Sequence, residues 1–184
     1  WKHGSTFISQ SAPMLTRIAG GLRSRNPADL TLCETVQRRI NRSLQACDGP
    51  KRWAGGIIRS LVNQLPNDTQ LHVGNSLIIR DLDLYCDRTK TSVSIFANRG
   101  VNGIDGQIAT AAGMASTSPD HPNVLLCGDL TALHDSGSLP LAKHLGLTIC
   151  VIDNGGGAIF DHLPFAEETE AFERFFTTPQ PTDL

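Results

Sequence analysis

Short apolar runs alternate with longer stretches in which hydrophobic positions recur every three to four residues, from Trp53 almost to the end of the chain. "WAGGIIRSLVNQLP" (53–66) predicts a helix stopped by Pro66. "QLHVGN" (70–75) predicts a strand, and "SLIIRDLDLYC" (76–86) a helix begun by Ser76. The same pair recurs as "TSVSIFAN" (91–98) with "GIDGQIATAAGMAS" (103–116). It recurs again as "NVLLCGD" (123–129) with a helical pattern over 130–145 that contains Pro140. A strand at "LTICVIDN" (147–154) and a helix at "EETEAFERFF" (167–176) complete the series. On that last helix Phe172, Phe175 and Phe176 are expected to pack as one face.

The first fifty residues are less regular. "WKHGSTFIS" has room for one short strand, and 11–30 carry a weak helical period broken by Gly20, Gly21 and Pro27. Leu32, Val36, Ile40 and Leu44 recur at four-residue steps and predict a helix, closed by "DGPKR".

Strict alternation of strand and helix, with strands that are continuous apolar runs, predicts an α/β fold: a parallel sheet between two layers of helices, its strands buried on both faces. In such sheets ligands sit beyond the carboxyl ends of the strands. Those ends read "GNS" (74–76), "NRGVNG" (98–103), "GDLT" (128–131) and "DNGGG" (153–157).

Composition narrows the picture. The chain has 184 residues, 40% hydrophobic and 18% charged, with a formal net charge of −2, so it offers no electrostatic case for nucleic acid or an acidic membrane. No apolar run approaches the ~20 residues of a membrane-spanning helix, and no signal peptide is visible. Cys33, Cys47, Cys86, Cys127 and Cys150 are odd in number and form no C-x-x-C; Cys127 and Cys150 lie in strand-like runs and read as reduced, buried residues of a cytoplasmic protein. The chain opens on Trp1 and closes on "FFTTPQPTDL", which is expected of a piece of a longer protein, or of a tagged or processed one.

Asp129 ends one strand beside Gly128, and Asn154 ends the next. A carboxylate, an amide oxygen and a carbonyl from a glycine loop form a hard, all-oxygen set that suits Mg²⁺ or Ca²⁺ better than zinc. Mg²⁺ keeps positions for phosphate oxygens, so a diphosphate completes the shell, and amides at the start of the next helix would help to hold it. A helix cap at Asp129 and a turn at Asn154 would account for each residue alone.

"GNSLIIRD", "ANRGVNGIDGQIATAAG", "GDLTALHD" and "NGGGAIFDHLP", four ordered blocks between residues 71 and 180, together resemble the 2-succinyl-5-enolpyruvyl-6-hydroxy-3-cyclohexene-1-carboxylate (SEPHCHC) synthases, thiamine-diphosphate enzymes of menaquinone and phylloquinone biosynthesis. Leu130 and Asp153 depart from the general Gly-Asp-Gly…Asn-Asn signature of thiamine-diphosphate enzymes and fit this branch. The resemblance implies a transferase of the transketolase-like class. It would decarboxylate 2-oxoglutarate and add the resulting succinyl carbanion to isochorismate in a 1,4 sense. It implies a thiamine-diphosphate-binding fold, incomplete at its C-terminus, over 51–184, with 1–50 as the tail of a central domain and a linker. Asp129, Asn154 and the Gly156 carbonyl would bind Mg²⁺ or Mn²⁺. Gly128, Leu130 and Thr131 would lie at the diphosphate, and Ile104 and Asn102 at the thiamine. Ser76, Arg80, Arg99, Ile159 and Leu163 match substrate-side residues, and arginine suits two dicarboxylic acids because its charge is permanent and its fork planar. His134 and Asp135 fall near the cofactor without a role. The activating glutamate would come from a domain this chain lacks, in a homo-oligomer, so the 184-residue chain alone is expected to be inert. The alternatives are another thiamine-diphosphate enzyme, of acetolactate synthase or 2-oxo acid decarboxylase type, or a non-catalytic α/β binding domain; the absence of G-x-G-x-x-G after a strand disfavours a dinucleotide site.

Overall fold

In the computed structural model the described residues are 31, 35, 36, 38–40, 42, 43, 53–86, 92–163 and 169–180. The strand and weak helix read over 1–30, and Leu32 and Leu44 of the next helix, lie outside them. The chain divides into two units, 1–45 and 46–184. In the first, the described residues are helical, and the Thr35 hydroxyl donates back to the Thr31 carbonyl at 2.8 Å.

In the second unit, helix α1 (Ala54–Gln64) ends at Leu65, before Pro66, and leads into strand β1 (Thr69–Val73). Helix α2 (Leu77–Tyr85) and strand β2 (Val93–Phe96) follow, then helix α3 (Gln107–Thr117) and strand β3 (Asn123–Gly128). A short helix α4 (Asp129–His134), a 3₁₀ turn at Ser136–Ser138 and helix α5 (Leu139–Ala142) lead to strand β4 (Leu147–Ile152). A second 3₁₀ turn (Ala158–His162), helix α6 (Thr169–Phe172) and a π turn (Glu173–Thr177) close the described chain. The four strands are parallel, in the order β2-β1-β3-β4.

Side chains alternate across each strand and therefore feed two cores. Leu71 and Val73 of β1 and Val124 and Leu126 of β3 pack with Ile58 and Val62 of α1 and Ile78 and Leu82 of α2. Leu125 and Cys127 point to the other face, against Ile108 and Ala111 of α3 and Ala132 of α4. The result is the three-layer parallel α/β fold expected from the sequence. Each fully buried Leu or Ile contributes about 1.5–3 kcal/mol relative to exposure. Burial on both faces holds for β1 and β3 but not at the sheet edges, where Ile95 and Phe96 of β2 remain 49% and 43% exposed. Among the described residues no helix is long and apolar enough to cross a membrane.

Two helices differ from the periodic reading. The third starts at Gln107 rather than 103, after Gly106 in the left-handed region (φ 67°). Its first amides, of Ile108 and Ala109, donate to Asp135 Oδ2 at 2.6 and 3.1 Å. The helix read over 130–145 breaks at the same residue: Asp135 caps α3, accepts the Ser138 hydroxyl at 2.7 Å and turns the chain. Asp135 is thereby a structural residue. Phe172 and Phe176 stack at 5.4 Å, but Phe175 is 68% exposed beneath Arg174 instead of joining their face.

His72 lies on the α3 side of β1, 2% exposed, with Nε2 3.0 Å from Gln107 Oε1. Burial pushes its imidazole below the ordinary value of 6.5, against the hydrogen bond that the Gln107 oxygen accepts, so the folded state favours the neutral ring. The unfolded chain binds that proton more readily. The stabilisation is complete above about pH 6.5 and is lost as pH falls through the lower folded-state value. Urea unfolding should give a lower midpoint at pH 5.5 than at pH 7.5, with a smaller difference in His72→Gln; equal pH dependence in both would remove His72 as the cause.

Candidate functional site

From β1 the chain moves outward to β2, and from β3 it moves outward to β4. The connections that leave β1 and β3 therefore run to opposite sides of the sheet, and a crevice opens between them. A cavity of about 150 Å³ lies there. One wall is the turn after β1, with Asn75, Ser76, Leu77 and Ile78; Gly128, Asp129, Leu130 and Thr131 form the wall after β3. The loop after β4 adds Asn154, Gly156, Gly157, Ile159 and Phe160, and Ile104 closes the side toward β2.

The strand register places the charges. Gly128 pairs with Ile152, so the next residues, Asp129 and Asp153, come side by side. Asp129 is only 5% exposed. Burial raises its carboxyl above the ordinary range; the Leu130 and Gly156 amides oppose this, and the neighbouring Asp153 raises it further. The Gly156 amide donates to Asp129 Oδ2 at 2.7 Å, and the Gly155 amide to Asp153 Oδ1 at 3.0 Å. Asn154 Oδ1 is buried without a hydrogen-bond partner. A desolvated carboxylate beside a second one, with an orphaned amide oxygen, is an arrangement that a hard divalent cation would satisfy. Among the described residues no three His, Cys, Asp or Glu side chains gather in metal-binding fashion, so a cation here must draw on amide and backbone oxygens or on a ligand.

The glycine loop is held from outside. The Gly157 amide donates to the Thr177 carbonyl at 2.6 Å, and the Phe160 ring meets Phe176 edge-on at 5.5 Å. Residues 172–178 thus brace the loop that carries Asn154 and Gly156. Thr178 adopts a left-handed backbone (φ 44°) at the end of this brace.

Of the residues that the sequence assigns to metal, cofactor or substrate, Ser76, Ile104, Gly128, Asp129, Leu130, Thr131, Asn154, Gly156 and Ile159 line this cavity. Four lie outside its wall. Arg80 is exposed and folds back along α2, with Nη1 donating to the Ser76 carbonyl. Arg99 is exposed in the loop after β2, where Nη1 donates to Asn75 Oδ1 at 2.8 Å. Asn102 is exposed on the same loop, and Leu163 is half-buried just after the second 3₁₀ turn. His134 is exposed at the end of α4. Sequence reasoning passes over Asn75, although "GNS" reads as a strand end; it also passes over Asp153 as a second carboxylate and Phe160 as part of the wall. Ser76, next to Asn75, has φ 67° and ψ −131°, a backbone that L residues seldom adopt and that recurs at functional turns.

No family model matches the chain. Curated relatives do. The chain is 39% identical over 151 residues to the 2-succinyl-5-enolpyruvyl-6-hydroxy-3-cyclohexene-1-carboxylate synthase of Desulfitobacterium hafniense, an alignment covering 80% of this chain and 27% of that protein. The synthase of the same name from Leuconostoc citreum is 46% identical over 145 residues, 76% of this chain and 26% of the relative. That of a Synechococcus species is 43% identical over 139 residues, 74% and 23% respectively. The chain is a homologue of a segment of these synthases, as its four motif blocks lead one to expect, and it spans about a quarter of their length.

Proposed function

We propose that this chain supplies the diphosphate- and metal-gripping part of a thiamine-diphosphate-dependent SEPHCHC synthase of menaquinone or phylloquinone biosynthesis. The observation that carries the reading is the meeting of Asp129 with the unpartnered Asn154 Oδ1 at the strand switch, in a homologue of synthases so named.

In this reading Asp129, Asn154 and the Gly156 backbone hold Mg²⁺ or Mn²⁺. Backbone groups of Gly128, Leu130 and Thr131 border the diphosphate, and Ile104, with Asn102 beside it, lies at the thiamine. When bound, the cofactor supplies the electron sink for decarboxylation of 2-oxoglutarate. The chain's own part is to bind, orient and exclude water. Ser76 offers a hydroxyl and Arg80 and Arg99 permanent charges to the carboxylates of 2-oxoglutarate and isochorismate, while Ile159 and Leu163 give that side an apolar boundary. Activation of the cofactor by a glutamate, and closure of the site, fall to another domain in a cytoplasmic homo-oligomer.

The test uses a full-length polypeptide containing this chain. With Mg²⁺, thiamine diphosphate, 2-oxoglutarate and isochorismate it should release carbon dioxide and form SEPHCHC, whereas the 184 residues alone should not. It should retain thiamine diphosphate only with the metal, and neither NAD nor ATP. Retention of a nucleotide in place of thiamine diphosphate would refute the reading.

A further inference from the structure

We infer that Asn75 is a positioning residue: its side-chain amide, pinned between the ends of β1 and β2, fixes the 98–104 loop and presets the Arg99 guanidinium. The bearing of Arg99 on a substrate rests on the function proposed above; the ordering of the loop does not.

Asn75 is fully buried, at 0% exposure. Its Nδ2 donates to the carbonyls of Gly103 at 2.7 Å and Asn98 at 3.0 Å, with Val101 further off at 3.5 Å. Its Oδ1 accepts from Arg99 Nη1 at 2.8 Å. The amide has two hydrogens, so both are committed to the loop while its oxygen holds the arginine. At one end of the loop Asn98 Nδ2 also donates to Thr110 Oγ1 of α3 at 3.0 Å, but the stretch between is open. Arg99, Gly100, Val101 and Asn102 are exposed, and Val101 is 79% so. The Arg99 amide does donate to the Ala97 carbonyl at 3.0 Å. On its far side the Gly103 carbonyl also accepts from Gln107 Nε2 at 3.0 Å, and Gln107 is in turn held by His72.

A residue in this place must donate to carbonyls and accept from a guanidinium at once, from a short side chain. Asparagine does both. Aspartate keeps the acceptor but loses the donors and sets a buried negative charge against carbonyl oxygens. Alanine removes the side-chain donor from the Asn98 carbonyl and the acceptor from Arg99 Nη1, and leaves the Gly103 carbonyl with Gln107 Nε2 alone. Ile104 follows the anchored Gly103 directly and shares the cavity wall with Asn75, so the amide also sets where that wall stands.

Two experiments test this. The first is hydrogen exchange on the 184-residue chain and needs no activity. Asn75→Ala and Asn75→Asp should each speed exchange at the Arg99 amide, which bonds the Ala97 carbonyl, and at the Thr110 amide, which bonds the Gly106 carbonyl, by roughly tenfold or more, while β3 keeps its protection. Unchanged exchange in the loop overturns the inference. Should either variant fail to fold, Asn75→Ser, which retains one donor and one acceptor, is expected to loosen the loop by an intermediate factor; full protection there overturns it equally. The second is a double-mutant cycle in the full-length polypeptide. Asn75→Ala and Arg99→Ala should each raise the KM for a dicarboxylate substrate by roughly tenfold or more, the loss expected for a charge-assisted bond. The double variant should lose little beyond either single one. Full additivity would mean that Asn75 does not act through Arg99, and that part of the inference would fall. A parent enzyme that does not turn over these substrates refutes the proposed function instead, and leaves the exchange experiment to decide the role of Asn75.

Discussion

Asp129→Asn is expected to abolish Mg²⁺-dependent binding of thiamine diphosphate while leaving the metal-free protein at least as stable as its parent. The two effects run in opposite directions because one buried charge causes both. Burial raises the Asp129 carboxyl above its ordinary value, the amides of Leu130 and Gly156 compensate only in part, and Asp153 adds repulsion. A carboxyl whose folded-state value lies above its unfolded one binds its proton more tightly in the fold. The fold therefore gains stability as pH falls through that raised value, and at neutral pH the ionised group is a burden on the metal-free state. Asparagine removes the charge and keeps an oxygen that the Gly156 amide, now 2.7 Å from Oδ2, can use. What it cannot replace is the anionic ligand of a hard cation. Loss of a partner merely adjacent to a metal ligand costs about 10–100-fold in affinity, so loss of the ligand itself should cost no less. Calorimetry measures the binding, and thermal unfolding with and without Mg²⁺ and thiamine diphosphate measures the linkage: the parent's Tm should rise on addition and the variant's should not. Equal shifts in both proteins would take Asp129 out of the metal shell.

That Asp129 could be found at all comes from parallel-sheet geometry. Apolar runs such as "NVLLC" are buried on both faces by helices, so their composition reveals them, and the first polar residue after each run falls where ligands bind. Leu125 and Leu126 are each fully buried, on opposite faces, and Asp129 follows directly after the end of their strand. The features that stay hidden depend on partners distant in the chain. The helix read over 130–145 breaks because Asp135 bonds the amides of Ile108 and Ala109, more than twenty-five residues earlier, and no periodicity records that. Asn75 resembles a turn residue; its three acceptors and its arginine come from another strand's loop. Ile95 and Phe96 are as apolar as any core pair, yet β2 lies at the sheet edge, and exposure there is fixed by neighbours rather than by the strand's own composition. Pattern thus locates elements and strand ends, whereas the tie between two strand ends becomes visible only in three dimensions.

The brace on the glycine loop is such a tie, and Gly156→Ala is expected to break it. Gly156 has φ 121°, outside the regions open to L residues, and a Cβ built there would lie 2.2 Å from the Thr177 carbonyl oxygen. The obstruction is backbone, not a side chain that can swing aside. Strain at such a position costs about 1–3 kcal/mol before any clash is relieved. Relief requires either that residues 173–178 move off, giving up the Gly157–Thr177 hydrogen bond and the Phe160–Phe176 contact, or that the loop opens and withdraws its amide from Asp129. Both routes lower stability, and at about 2–4 °C per kcal/mol for a chain of this size the Tm should fall by roughly 5–10 °C. Gly113→Ala is the control. Gly113 is exposed within α3, and nothing lies within 4 Å of where its Cβ would be, so the same chemical change should stabilise that helix by about 0.5–1 kcal/mol. Hydrogen exchange separates the two routes: faster exchange confined to 173–178 means that the brace has detached with the loop still seated on Asp129, and faster exchange at 155–157 means that the loop has opened. In the second case Mg²⁺-dependent binding should fail together with stability, because the bond between Gly156 and Asp129 on the inside and the brace on the outside hold the same loop. A Gly156→Ala protein that melts with its parent would show that this close approach does not exist.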